Sequence, residues 1–369
     1  MLKTRFVVVG AGLAGLAAAA TLRAAGETPL VLEANARIGG RVDTLRDDTG
    51  RALADLGPNW VWPPFQPGIA RWLDHLGVSP LEQFEQGNAV LDGFAEAPIQ
   101  QPLPGQHGMV RLSGGVGQIV QNLAARLPGD AIRCEAPVRA ITEHASGGLL
   151  LTTDHHAPLL AEHVLIAAPL RVIAERIRLP ETLPGALPRA LAAMPTWMAA
   201  QAKAVIRYDR AFWREAGLSG RIASRRGPLF EAHDHTSADG DPALFGFIAT
   251  PPDHRDPALL HDAILAQLER CFGAAARQPQ ALHIRDWATE PWICSTADRN
   301  SPPEHPAPGP SLLREGHLGG RLWLCCAETA TQSPGLIEGA LLAGEGAATN
   351  ALAAAGDTPT RRADAQCPP

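Results

Sequence analysis

The chain has 369 residues, of which 46% are apolar and 19% charged, with 32 Lys and Arg against 38 Asp and Glu for a formal net charge of −6. This length admits two domains of roughly 100–200 residues each, and no run of basic residues offers a surface for nucleic acid or an anionic membrane. The first apolar run, Phe6–Val9, is too short for a signal-peptide core, and no later stretch reaches the ~18 apolar residues of a membrane span, so the expected location is cytoplasmic and the expected partner a small molecule. Six cysteines (134, 271, 294, 325, 326 and 367) lack metal-ligand spacing, which predicts reduced thiols and no metal site.

Residues 5–33 read as a strand (Arg5–Val9), a glycine turn (Gly10–Gly15), an apolar helix to about Ala25 and a second strand (Pro29–Glu33), one complete βαβ unit. Residues 63–107, rich in Pro, Gly and Gln with one helix at Ile69–Leu76, read as an excursion from that sheet. A helix at Gln118–Arg126 then leads into strand runs Ala131–Thr142, Gly148–Thr153 and His163–Ala167, a β-meander. From about 190 to 314, strands Ala199–Tyr208, Arg221–Ser224, Leu229–His233, Ala243–Thr250 and Ala281–Trp287 surround a helix at Pro257–Phe272, the pattern of a mostly antiparallel α+β domain. The loop Ser301–Pro310, a buried strand at Arg321–Ala327 and a helix at Gly335–Leu352 follow, and Gly356–Pro369 lacks apolar periodicity and reads as a disordered tail.

Gly10-Ala11-Gly12-Leu13-Ala14-Gly15 follows a strand and opens a helix, the context in which glycines let backbone approach a pyrophosphate and a helix start supplies free N–H groups. Glu33 ends the second strand, where a carboxylate accepts hydrogen bonds from ribose hydroxyls and disfavours a 2′-phosphorylated cofactor. To this point NAD and FAD both fit. Arg37-Ile38-Gly39-Gly40-Arg41 divides them, because two guanidiniums around a Gly-Gly turn suit a second pass along the longer FAD molecule.

The run VVVGAGLAGLAAAATLRAAG…VLEANARIGGRVDT resembles the amine-oxidase family of FAD enzymes, which contains the monoamine, polyamine and L-amino-acid oxidases. The resemblance implies an α/β fold: a Rossmann-like FAD-binding domain with a parallel sheet and β-meander, drawn from 1–62, 108–190 and 315–355, plus a discontinuous α+β substrate domain from 63–107 and 191–314. It implies non-covalent FAD held by Gly10, Gly12, Gly15, Glu33, Arg41, the Gly57-Pro58-Asn59-Trp60 segment and Val138. Cys326-Ala327-Glu328-Thr329 and Ser333-Pro334-Gly335-Leu336-Ile337-Glu338-Gly339-Ala340 are similar to the family's carboxy-terminal pattern. There Glu328 would accept from a ribityl hydroxyl, while Leu336 and Ile337 open a helix whose positive end stabilises negative charge on the reduced flavin.

Lys203, upstream of Phe212-Trp213, matches the family lysine that holds a water against the flavin, and is the expected catalytic residue. Burial lowers the cost of losing its proton, and its charge would help oxygen accept electrons. Trp287 and Trp292 resemble aromatic residues that wall the substrate cavity, with core packing as the alternative. Leu336 falls where relatives carry one tyrosine of a facing pair, Ala297 falls at the other, and Thr296 stands at the cysteine that anchors flavin covalently in monoamine oxidases. Tyr208 is the single tyrosine of the chain, so a cage of two tyrosines cannot form. The expected activity is hydride removal from the carbon next to an amine, giving imine and, with oxygen as acceptor, hydrogen peroxide. The alternatives are a desaturase or dehydrogenase using another acceptor, and a catalytically silent FAD-binding protein.

Overall fold

The computed structural model describes residues 2–357. The first strand, Leu2–Val9, is fully buried from Phe6 onward because parallel neighbours flank it on both sides. Leu30–Leu32 pairs with it on one side, Val7 opposite Leu30, and Leu159–Ile166 on the other, Val7 opposite Val164. Ile132–Arg133 extends the sheet beyond Leu30–Leu32, while Leu322–Leu324 lies parallel to Leu159–Ile166. Val138–Glu143, Leu149–Thr153 and Leu159–Ile166 run antiparallel in succession and form the meander. The single run expected over 131–142 is broken in two, since Glu135 takes a left-handed φ of 54° and Pro137 has no N–H to donate to a ladder.

Helix Leu13–Ala24 crosses the carboxy-terminal helix Ile337–Asp357 at very short range: a Cβ on Gly344 would stand 2.0 Å from the Ala14 carbonyl oxygen. Small side chains at this crossing are therefore a packing requirement. Gly356 and Asp357, expected in the tail, instead close this helix; residues 358–369 lie outside the described residues.

The second sheet has seven strands in the order Ala281–Asp286, Ala202–Arg207, Ala243–Ile248, Leu229–Asp234, Leu218–Ser224, Asn88–Asp92 and Ile99–Gln101. It is antiparallel except where Leu218–Ser224 meets Asn88–Asp92. Helix Pro257–Phe272 covers one face, its start capped by Asp256, which accepts from the backbone N–H groups of Ala258 and Leu259.

Residues 63–107 divide between the two halves, which differs from their expected assignment to the substrate side alone. Two of their three strands, Asn88–Asp92 and Ile99–Gln101, join the second sheet, while Pro80–Glu82 pairs with Val110–Leu112, and helix Pro67–Leu76 sinks Ile69, Trp72, Leu73 and Leu76 into the core beneath the first sheet. Its amphipathic stripe needs a helical partner, and Ile337–Asp357 supplies one. Among the described residues no helix is long and apolar enough to cross a membrane, and no cluster of His, Cys, Asp and Glu is arranged to hold a metal ion.

Candidate active site

One long cavity runs between the two sheets, from Glu33 and Val138 at one end to Lys203, Trp60 and Leu336 at the other. Gly10, Gly12, Leu13 and Ala14 line it from one turn, and Gly39, Gly40 and Arg41 from a second. The two turns are tied together, Gly39 N–H donating to the Ala11 carbonyl at 2.8 Å. A Cβ on Gly40, at φ 58°, would stand 3.2 Å from Gly12 Cα, so a side chain there would fill the cradle. Gly15 does not line the cavity. A Cβ on it would meet the Gly10 carbonyl oxygen at 1.9 Å, which makes its role the close crossing of helix and strand.

The helix that starts after Gly12 has neither a side-chain cap nor an acidic residue in its first turn, leaving its leading N–H groups for an anion. This donor set and the glycine cradle, free of side chains, fit the pyrophosphate of a dinucleotide. Glu33 is buried, and its carboxylate accepts from Ala11 N–H at 2.7 Å and Asn35 N–H at 2.8 Å, bracing the glycine turn. Desolvation raises its pKa against these hydrogen bonds.

The two arginines around the Gly-Gly turn act inward. Arg37 donates to the carbonyls of Val42 and Gly40, each at 2.9 Å, and so braces the turn. Arg41 binds Glu328 through two parallel bonds of 2.6 and 2.9 Å. Glu328 is completely buried, both its oxygens accept from Arg41, and it does not line the cavity, so its observed partner is the guanidinium. The pair joins the amino- and carboxy-terminal motifs directly.

Gly57, Pro58 and Trp60 line the far end. Asn59 is turned away, its amide donating to the Gly57 carbonyl at 3.3 Å while its Oδ1 has no partner. Lys203 is buried and donates to the same carbonyl at 2.5 Å, with Phe245 and Phe247 5.8 and 5.3 Å from its nitrogen. Desolvation lowers its pKa to about 7, against an opposing attraction to Asp55. Asp55 is itself pushed up to about 6 by burial.

Leu336 and Ile337 line the cavity where helix Ile337–Asp357 begins, two residues later than expected, and Ala340 of its first turn lines it as well. Trp287 also lines it, held by its indole N–H on the Leu56 carbonyl at 3.0 Å. Trp292 lines the same cavity at some remove from Trp287. Its ring lies 4.8 Å from the Arg139 guanidinium and 5.6 Å from that of Arg176, at the Val138 end.

Thr296 and Ala297 are exposed and line no part of the cavity, because Ser295 caps a short helix whose buried side is Asp298. Cys294 is buried outside the cavity, its thiol pushed up to about 12 by burial. Cys326 is the cysteine that lines it, and burial raises its thiol well above the ordinary value. Tyr208 is remote, its hydroxyl donating to the Ala276 carbonyl at 2.9 Å.

Sequence reasoning assigned no part to Trp197, Met198, Gln66 and Cys326, all of which line the cavity. It also gave no contact to Glu338, whose carboxylate accepts from Gly68 N–H at 2.8 Å and Ile69 N–H at 3.2 Å and so caps helix Pro67–Leu76. Nothing in the local sequence marks a contact across that distance. Trp197 carries the one available signal, an aromatic in the Pro195–Met198 turn that precedes the Lys203 strand.

Comparison with known proteins agrees with this geometry. The family described as flavin containing amine oxidoreductase matches residues 89–352, and the NAD(P)-binding Rossmann-like domain matches residues 8–76. The chain is 24% identical to bovine (Bos taurus) flavin-containing amine oxidase B over 97% of its own length and 88% of that protein. It is 25% identical to putrescine oxidase of Kocuria rosea, over 78% of this chain and 82% of the relative. Among solved structures, cyclohexylamine oxidase from Brevibacterium oxydans superposes with a TM-score of 0.80 at 20% identity, covering 95% of this chain and 99% of that one. A putrescine oxidase structure bound to putrescine gives a TM-score of 0.78 at 21% identity, with the same coverage. With a family match over most of its length, and a glycine cradle and helix starts shaped for a dinucleotide, the chain belongs to the flavin-containing amine oxidoreductase family and is an FAD-dependent oxidoreductase.

Proposed function

We propose that this enzyme removes hydride from the carbon bearing a neutral amine, that the imine hydrolyses in water to aldehyde or ketone and ammonia, and that dioxygen takes up the electrons as hydrogen peroxide. The observation that carries the reading is Lys203: a buried amine at the cavity wall, held on the Gly57 carbonyl, with a pKa lowered to about 7 by desolvation. FAD, when bound, supplies the hydride acceptor.

The protein's part is to bind, orient and exclude water. The turns at Gly10–Leu13 and Gly39–Arg41 hold the pyrophosphate, Glu33 the ribose and Val138 the adenine. The start of helix Ile337–Asp357 places positive potential at the redox end. Lys203, protonated below about pH 7, presents a cation to reduced oxygen species; unprotonated, it leaves the entering amine neutral. Trp60, Trp287 and Leu336 form a dry wall around the reacting carbon. The FAD is non-covalent in this reading, because Thr296 and Cys294 stand off the cavity. Acid precipitation that leaves yellow colour in the protein pellet overturns that point.

The missing pair of tyrosines, with Leu336 on the cavity wall and Tyr208 remote from it, favours a second reading, hydride removal with an acceptor other than oxygen. Anaerobic flavin bleaching by an amine panel, measured beside peroxide release in air, separates them. Bleaching with peroxide supports the oxidase, bleaching without peroxide the dehydrogenase, and neither indicates a silent flavoprotein.

A further inference from the structure

The redox end of the cavity contains an aromatic side chain held in place from below. Trp197 lines the cavity, and its backbone is gripped twice by the ion pair behind it: Arg41 Nη1 donates to its carbonyl at 3.2 Å, and Glu328 Oε1 accepts from its N–H at 3.3 Å. The next residue, Met198, takes a left-handed φ of 56°, a conformation rare outside glycine, in the turn that brings both side chains to the cavity. On its outer side the indole meets the His305 ring edge-on at 4.8 Å.

Contacts fix which end this is. Lys203 donates to the Gly57 carbonyl, a Cβ on Gly57 would stand 2.4 Å from the Arg41 carbonyl oxygen, and a Cβ on Gly335, beside Leu336, would stand 2.8 Å from Trp197 Cβ. Trp197 therefore lies with Lys203 and Leu336, away from Glu33.

At this end the charge left without a counter-ion is that of Lys203. Among the described residues lining the cavity the one carboxylate is Glu33, at the opposite end, and Arg41 is neutralised by Glu328. A second ammonium on the substrate would find no anion here, and a substrate carboxylate would find no free guanidinium, only Lys203, which is engaged with the Gly57 carbonyl and whose pKa burial lowers to about 7. Burying either charge unpaired is costly.

We propose that Trp197 is the specificity-determining wall of the amine site, and that the site accepts amines whose remainder is uncharged and apolar, packed against its indole, while Arg41 and Glu328 position it. This rests on the amine-oxidising reading above. Benzylamine, putrescine and L-leucine are compared on the FAD-loaded enzyme, with α,α-dimethylbenzylamine, which has no hydrogen on the reacting carbon, as a non-reacting ligand titrated by its flavin difference spectrum.

The expected result is a kcat/KM for benzylamine at least about tenfold above putrescine and L-leucine. Trp197→Ala is expected to raise the Kd of α,α-dimethylbenzylamine and the KM of benzylamine about tenfold or more, with kcat changed less, and Trp197→Phe to recover most of the loss. FAD affinity, measured by titrating apoprotein, is expected to stay within about threefold. Putrescine or L-leucine as preferred substrate overturns the inference, as does an unchanged Kd in both variants, while bleaching by any of the three amines leaves the amine-oxidising reading standing. Bleaching by none of them overturns both.

Discussion

Lys203 and Asn59 donate to the same carbonyl, that of Gly57, from two different elements. The backbone at the redox end of the cavity is thus pinned by a strand of the second sheet, and the amine that pins it is buried with a pKa of about 7.

From that burial, Lys203→Met is expected to retain FAD but slow reoxidation of the reduced enzyme by oxygen at least about tenfold, a loss of about 1.4 kcal/mol in the barrier. In the native enzyme the reoxidation rate is expected to fall as pH rises through about 7, where the cation is lost, and in the variant to be flat. Stopped-flow traces under air at several pH values check both, and an unchanged rate at neutral pH removes Lys203 from the oxygen step.

The same shift has a stability sign. The folded pKa of about 7 lies below the ordinary lysine value of 10.5, so between these values the unfolded chain binds more protons and stability rises with pH. The native protein is expected to gain on Lys203→Met between pH 7 and 10.5, as followed by urea midpoints of the two proteins. Parallel curves would mean that the amine is solvated in solution.

Glu33→Ala removes the acceptor for Ala11 N–H and Asn35 N–H together with the proposed ribose partner. FAD retention on gel filtration is expected to fall, with Kd raised about tenfold or more. Full retention would show that the glycine turn holds the cofactor without it.

Glu328→Gln leaves Arg41 facing a neutral amide, with Glu328's position wholly buried. Breaking one partner of such a pair costs about 3 kcal/mol, to be read from urea unfolding of the apoprotein. A cost under about 1 kcal/mol would mean that water solvates Arg41 instead.

Glu338→Ala removes the acceptor for Gly68 N–H and Ile69 N–H, and is expected to cost about 1 kcal/mol, the usual value of a lost helix cap. Hydrogen exchange of those two amides should speed up while that of Leu165, in the central sheet, stays slow. Equal acceleration everywhere would point to global destabilisation instead.

How much of this was legible in the sequence follows from the range of the interactions. The βαβ unit, the meander and the antiparallel strands around Lys203 were readable because each depends on apolar periodicity and glycine placement within a short window. Glu33 was readable because its position at a strand end fixes it beside the turn. The partner of Glu328 was not, since a carboxylate near a flavin site and a carboxylate beneath an arginine look alike until Arg41 is placed. Ala297 was misplaced for a related reason: spacing from Trp287 does not reveal that Ser295 caps a helix and turns the chain outward. Helix Pro67–Leu76 was found, but its allegiance was set by Glu338, 270 residues away from Gly68.

That long closure bears on how the molecule is made. Leu322–Leu324 completes the first sheet, Glu328 neutralises Arg41, and Glu338 caps a helix near the start of the chain. During synthesis the earlier segments wait with an uncompensated guanidinium, an uncapped helix and an uncovered alanine face until these last elements leave the ribosome. The native contacts are therefore completed late, and contacts of such sequence separation form slowly. A chain stalled before Leu322 would lack Ile337 and Ala340, which line the cavity, and the Glu328 partner of Arg41.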